Sequence, residues 1–169
     1  YAVAVTIAKG ILLIVESFAQ TWMPHVYAIL TVGGKGKSRL VQQSYMYMLG
    51  LLGLAVVYVL LVPIFFPWVI GDRFVGALQF VPLLVVAHVF DGWYRIFVIY
   101  IFYSKRTEIV SVLSTVTGVI HAILLFILVK PYGLMGAAIS ILCSSLIMFL
   151  SVIWISNKVY PMPWRLLWT

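Results

Sequence analysis

Residues 109–156 read IVSVLSTVTGVIHAILLFILV, then KPYG, then LMGAAISILCSSLIMFLSVIWIS. Neither outer run contains Asp, Glu, Lys or Arg, and each is more than 20 residues long. About 20 apolar residues in a helix cover the roughly 30 Å hydrocarbon core of a bilayer. Lipid offers no partner to an exposed peptide group, so such a run spans as a helix, which satisfies its own backbone. Pro131 and Gly133 interrupt the helical pattern and make a turn. The pattern therefore predicts two membrane helices, 109–129 and 134–156, with a tight turn between them.

Three more apolar stretches lie upstream, at about 2–31, 44–70 and 77–103. The first break is the basic, glycine-rich loop Gly33 to Arg39, the second Gly71-Asp72-Arg73, and the third Ser104 to Glu108. Pro63 and Pro67 are expected to end the second span, and Pro24 to kink the first. The whole chain has 169 residues, 64% apolar and 9% charged. A soluble domain averages about 45–50% apolar and about 25% charged. This balance excludes an ordinary soluble globule, a disordered tail and a nucleic-acid module. Five successive helices, apolar on every side, cannot all be the core of a soluble protein. The expected fold class is all-α: a polytopic integral membrane helix bundle of five transmembrane helices. Residues 1–160 form one helical lobe, and 157–169 a cytoplasmic tail.

Lys and Arg in short loops set the orientation. Lys35, Lys37, Arg39, Lys105, Arg106, Lys158 and Arg165 fall on one side, and Arg73 and Lys130 on the other. The richer side is expected to be cytoplasmic, with Tyr1 outside and Thr169 inside. Trp68, Trp154, Tyr160, Trp164 and Trp168 sit where interfacial anchors belong. Tyr1 begins no signal peptide, because no charged segment and cleavage site follow it. We expect the chain to be a piece of a longer protein. The lone Cys143 lies in an apolar run, so no disulfide framework or metal-ligand set is expected. No cofactor is called for either. The Gly33 to Arg39 loop resembles a phosphate loop only in composition, since a membrane span rather than a strand precedes it.

The residues with chemistry are the ionisable groups inside the spans. A charge in hydrocarbon costs at least about 2.5–3.5 kcal/mol on insertion scales, so it faces a cavity or a partner. His88, Asp91 and Arg95 are spaced i, i+3, i+7 and share one helical face. They read either as a polar stripe lining a hydrated cavity, with Arg95 open to an anionic substrate, or as a neutralised pair that locks helices together. Asp91 and Arg95 have the i, i+4 spacing of an ion pair. Glu16 falls close to the middle of the first span, on the same face as Lys9. It reads as a carrier of a proton or cation, or as a partner for a basic residue such as Arg95. His121, near Thr115, Thr117 and Gly118, either lines a cavity or bonds between helices. Gly136, Ala137, Ala138 and Ser140 are small residues that let helices approach closely.

Taken together, the run Val129 to Ala138, the basic stretch Ile101 to Thr107, and Phe74 to Leu84 followed by Phe90-Asp91-Gly92-Trp93-Tyr94 carry a resemblance. The chain, from Tyr1 to about Tyr160, resembles the second lobe of Wzx-type polysaccharide (O-antigen) flippases. These belong to the superfamily of multidrug, oligosaccharidyl-lipid and polysaccharide exporters. The resemblance implies about 12 to 14 helices in two lobes, a repeat-built plan seen in many transporters. It also implies a missing N-terminal lobe and location in the inner cell membrane. The implied function is flipping of an undecaprenyl-pyrophosphate-linked oligosaccharide by alternating access, with the tail left in membrane lipid and coupling to H+ or Na+ through Glu16 or Asp91. Arg95 is the position best suited to the sugar–pyrophosphate head. Family members typically carry Asn where His121 stands and another near Leu125, and this chain has neither. The rivals are a small-molecule or multidrug cation antiporter and a non-catalytic membrane assembly subunit. A membrane glycosyl transferase needs acidic residues at one membrane face, but Asp72 and Glu108 are expected on opposite faces.

Overall fold

The structure is a computed structural model and describes residues 1–32, 36–69 and 72–164. Gly33, Gly34 and Lys35 of the basic loop, Gly71 of the second break, and Arg165 and Trp168 of the tail lie outside the described residues. So do the side chains of Pro67, Asp72, Arg73 and Phe74. The described residues are helical apart from short turns, with no strand among them. The order is α1 (Ala2–Val32), α2 (Gly36–Val69), a 3-10 segment (Asp72–Phe80), α3 (Val81–Tyr103) and α4 (Thr107–Val159). Four of these helices are long and apolar enough to cross a membrane.

Several boundaries differ from those expected of the sequence. Gly36 to Arg39 belong to the first turn of α2 rather than to a loop. Helix formation is cooperative, so the apolar body of α2 extends helix into a polar end that would not start one alone. Pro63 lies inside α2 instead of ending it. Proline removes one helical hydrogen bond, a loss a long membrane helix tolerates where its other bonds hold. Ala77 to Phe80 belong to the 3-10 segment, and α3 starts at Val81 with Pro82 in its first turn. Proline suits that position, because its missing N–H would have had no intrahelical acceptor.

The stretches 109–129 and 134–156 fall within one 53-residue helical element, α4. Its path is not straight. Gly133 has φ 56° and ψ −134°, a conformation open to glycine alone. Beyond it the chain doubles back. His121 meets Ser140 and Ser144, Thr117 meets Met148, and a Cβ at Gly136 would collide with the Leu128 carbonyl. The two arms of α4 therefore run antiparallel, packed through small residues.

α3 packs against every other helix. α1 runs parallel to it, as the contacts Tyr1–Phe80, Glu16–Arg95 and Tyr27–Tyr103 require. α2 runs antiparallel, with the Trp93 indole N–H donating to the Met48 carbonyl at 3.2 Å. Gly92 marks the closest approach: a Cβ there would meet Leu51 of α2 and come within 3.1 Å of Val15 of α1. On the α4 side, Phe149 packs against Phe90, Trp93 and Phe97.

The turn from α3 to α4 is closed by two backbone bonds. Arg106 N–H donates to the Ile101 carbonyl at 3.2 Å, and Lys105 N–H to the Phe102 carbonyl at 2.9 Å. Lys105 takes the left-handed position, φ 59°, that glycine usually fills in such a cap. The tail after α4 folds back over this end. Tyr160 stacks on Tyr100, the Trp164 ring lies 4.8 Å from Phe97, and the Tyr45 hydroxyl donates to the Trp164 carbonyl at 3.0 Å. Trp164 is thus packed into the bundle rather than set out as an anchor. Trp68 and Trp154 do stand outward, 89% and 62% exposed. The Lys37 ammonium lies 4.8 Å from the Tyr160 ring centre, and Tyr103 packs edge-on to Tyr160. The start of α2, the turn between α3 and α4, and the end of α4 therefore share one end of the bundle, and Lys37, Arg39, Lys105, Arg106 and Lys158 gather there.

Candidate functional site

Polar side chains at the middles of these helices meet in two places along one face of α3, one toward α1 and one toward α4. On the α1 flank, an Arg95 guanidinium nitrogen lies 3.7 Å from Glu16 Oε1. The parallel packing of α1 on α3 brings them level. Arg95 is 37% and Glu16 46% exposed, so the pair lines an open surface rather than a sealed core. Lys9 is exposed on α1 and is not part of this pair.

On the α4 flank, Asp91 lines a pocket of about 280 Å³ with Ser114, Thr117, Gly118, His121, Ser144, Ser145 and Met148. His88, one turn back on α3, donates from Nδ1 to Asp91 Oδ2 at 3.2 Å. His88 is 15% and Asp91 38% exposed. His121 Nδ1 lies 3.3 Å from the Ser140 carbonyl and 3.1 Å from Ser144 Oγ. A carbonyl can only accept, so this contact assigns an N–H to His121 Nδ1. Ser144 Oγ in turn donates to the Ser140 carbonyl at 2.9 Å. The Thr117 hydroxyl donates to Met148 sulfur at 3.5 Å.

The i, i+4 spacing of Asp91 and Arg95 suggested an ion pair within α3, but the structure pairs each with another residue. Arg95 turns to Glu16 of α1, and Asp91 turns to His88 and the α4 pocket. The Arg95–Glu16 contact is longer than a hydrogen bond, and Arg95 remains partly exposed beside it. His121 does two things at once: it lines the pocket and it bonds across the α4 hairpin.

Family models, curated proteins and solved structures yield no match to this chain. The reading of the site therefore rests on its own residues.

The pocket adds Ser114, Ser144, Ser145 and Met148 to the His121, Thr117 and Gly118 that the sequence pattern points to. Thr115 donates to the Ser111 carbonyl of its own helix and stays out of the pocket. The signal was present: Ser114, Thr117, Gly118 and His121 recur at spacings of three and four, one helical face.

Across α3 from the polar pocket, an apolar groove of about 280 Å³ opens between α2 and α3. Val56, Leu60, Val86, Val89, Phe90 and Trp93 are among its walls. Among the described residues, its lining presents no polar surface. One flank of α3 thus offers hydroxyls and a carboxylate, and the other only hydrocarbon.

Proposed function

We propose that this chain is part of a transporter that moves a lipid-linked oligosaccharide across the inner cell membrane, as the second lobe of a two-lobed exporter. The observation that supports this reading is the Asp91 pocket, a hydroxyl-lined cavity at the middles of helices that are otherwise apolar. A carboxylate and several hydroxyls suit the paired hydroxyls of a sugar ring, which cannot enter hydrocarbon without replacement hydrogen bonds. The apolar groove beyond α3 suits the lipid that carries the sugar. Arg95 lies beside Glu16 and does not line the Asp91 pocket, so in this reading a pyrophosphate held by Arg95 stays outside that pocket.

In the same reading α4 crosses the membrane twice, once on each side of Gly133, which makes five crossings. The end carrying Lys37, Arg39, Lys105, Arg106 and Lys158 faces the cytoplasm. Transport proceeds by alternating access of the pocket between two lobes, the usual plan of repeat-built carriers.

The test is movement of a fluorescent lipid-linked oligosaccharide between leaflets of proteoliposomes that contain the full-length protein. Asp91→Ala with Ser144→Ala is expected to slow it at least tenfold. Unchanged movement in a folded double variant sinks the reading. One observation favours a second reading: among the described residues, the one formally charged side chain lining the pocket is acidic, which suits a small organic cation. Efflux of such a cation, with no movement of the oligosaccharide lipid, would establish an antiporter instead.

A further inference from the structure

On the outer face of the second arm of α4, Leu150, Trp154 and Lys158 follow one another at intervals of four, each about 6 Å further along the axis. Leu150 is 55% and Trp154 62% exposed, and Lys158 is exposed beyond them. The Lys158 side chain bends back one turn, so that its ammonium lies over the Trp154 ring, 3.6 Å from the centre. A lysine at a membrane boundary ordinarily lays its stem along apolar surface and puts its charge in water. Here the cation is held level with an outward-facing indole, and indoles of that kind sit at the depth of lipid headgroups.

More positive charge surrounds this point. Lys37, from the start of α2, lies over the ring of Tyr160, two residues beyond Lys158. Arg39, Lys105 and Arg106 are exposed at the same end. Among the described residues, no carboxylate comes within 4.0 Å of any of these five cations, and the one acid at this end is Glu108. Beside Lys158, Asn157 borders a recess of about 360 Å³ walled by Pro161, Met162, Pro163 and Trp164. The Trp164 indole N–H and the Ser156 hydroxyl are buried here with no partner among the described residues. Buried donors are costly to leave without an acceptor.

Setting the orientation of a membrane chain takes only an excess of Lys and Arg on one side. It does not call for a lysine seated on a ring, nor for apolar and aromatic side chains leading up to it in line. The series Leu150, Trp154, Lys158 matches the order of groups along a phospholipid: acyl chain, glycerol, phosphate. A free phosphate has no use for Leu150 and Trp154. A zwitterionic headgroup carries a cation of its own, which the surrounding basic residues repel.

We propose that this face of α4 binds an anionic glycerophospholipid, with its phosphate at Lys158 and Asn157, its glycerol against Trp154 and an acyl chain along Leu150. Lys37, Arg39, Lys105 and Arg106 add to the attraction through their nearby charge. The site shares no residue with the Asp91 pocket, and it stands whatever the chain transports.

Native mass spectrometry of the full-length protein in detergent, with phosphatidylglycerol or phosphatidylcholine added, tests this. The expected result is an adduct with phosphatidylglycerol that forms about fivefold or more tightly than one with phosphatidylcholine. Lys158→Gln should weaken it about fivefold, the worth of one cation near an anionic lipid. Trp154→Leu should weaken it about two- to fivefold, because the ring that seats the ammonium is gone. Lys158→Arg keeps the cation and should keep the adduct, which separates a lost contact from a misfolded variant. Lys130→Gln removes the cation seated over Phe126 at the other end of α4, and should change nothing. Equal binding of the two lipids, or full binding in Lys158→Gln, overturns the proposal. So does an equal loss in Lys130→Gln, which would mark net charge alone. Displacement of the lipid by excess inorganic phosphate would mark a phosphate site with no part for the acyl chain, and overturns it too.

Discussion

On the α1 flank of α3, Glu16 meets a guanidinium; on the α4 flank, Asp91 meets an imidazole. Both carboxylates sit at the middle of a long apolar helix, and both have a nitrogen partner within 4 Å. The difference lies in the partner and the surroundings. The α1 flank has a carboxylate–guanidinium pair beside close packing at Gly92, and the α4 flank has a carboxylate–imidazole pair beside a cavity. One contact joins two helices, and the other lies within a single helix at the edge of a cavity. The charge of a residue in a membrane helix is thus a poor guide to its use until its partner is known.

The largest effect is expected where the α1 flank is tightest. Gly92→Leu drives a side chain into Leu51 and Val15 and pushes α3 away from α1 and α2. Overpacking of this kind costs about 3 kcal/mol. Thermal unfolding in nanodiscs should register it as a lower midpoint, while the lining of the α4 pocket beside Asp91 is left in place.

Next comes the carboxylate–guanidinium pair. Arg95→Gln leaves Glu16 without its counter-charge. A fully buried pair broken this way costs about 3–5 kcal/mol. Partial exposure of both ends lowers the expected loss to about 2 kcal/mol. Adding Glu16→Gln should restore most of it, and a double-mutant cycle would measure the coupling. If the cycle showed no coupling, the two flanks would not differ as described.

Gly133→Ala tests the hairpin that carries the other flank. A side chain at φ 56° and ψ −134° is strained by about 1–2 kcal/mol. Spin labels at Val116 and Leu150, one on each arm, should report a broader distance distribution. The smallest effect is expected from Ser144→Ala. It removes one of two oxygens near His121 Nδ1 and costs about 1 kcal/mol or less. The same change in a His121→Ala background should cost still less, measured by the same unfolding midpoint.

How much of this was legible beforehand follows from the range of each interaction. The apolar runs and the shared face of His88, Asp91 and Arg95 depend on residues a few positions apart, and the sequence displays them. The close approach at Gly136 was legible for the same reason, because small residues next to a turn have few other uses. The pairing of Glu16 with Arg95 was not readable in preference to Asp91 with Arg95. It depends on α1 lying parallel to α3, which no local spacing encodes. The helix boundary at Gly36 was missed because a short polar stretch takes its conformation from the long helix it joins. The pocket hydroxyls of Ser144 and Ser145 were missed because serines in membrane helices usually bond their own backbone. Ser144 does so here and still faces His121. A basic loop and a proline pair read as punctuation in soluble chains, and α2 ran through parts of both.

The parallel contact of α1 with α3 has a consequence for the order of synthesis. Glu16 is made 79 residues before Arg95, the difference between their positions along the chain. At about 5–20 residues per second, roughly 4–16 s pass between them. Through that interval α1 and α2 emerge from the ribosome as a hairpin holding a carboxylate with no guanidinium to meet it. The nascent chain must keep the Glu16 side chain against water or the wet wall of the insertion channel until α3 arrives. Ribosome-stalled chains that end between α2 and Arg95 are therefore the ones in which Glu16→Gln should make insertion more complete, and that advantage should vanish once Arg95 has emerged.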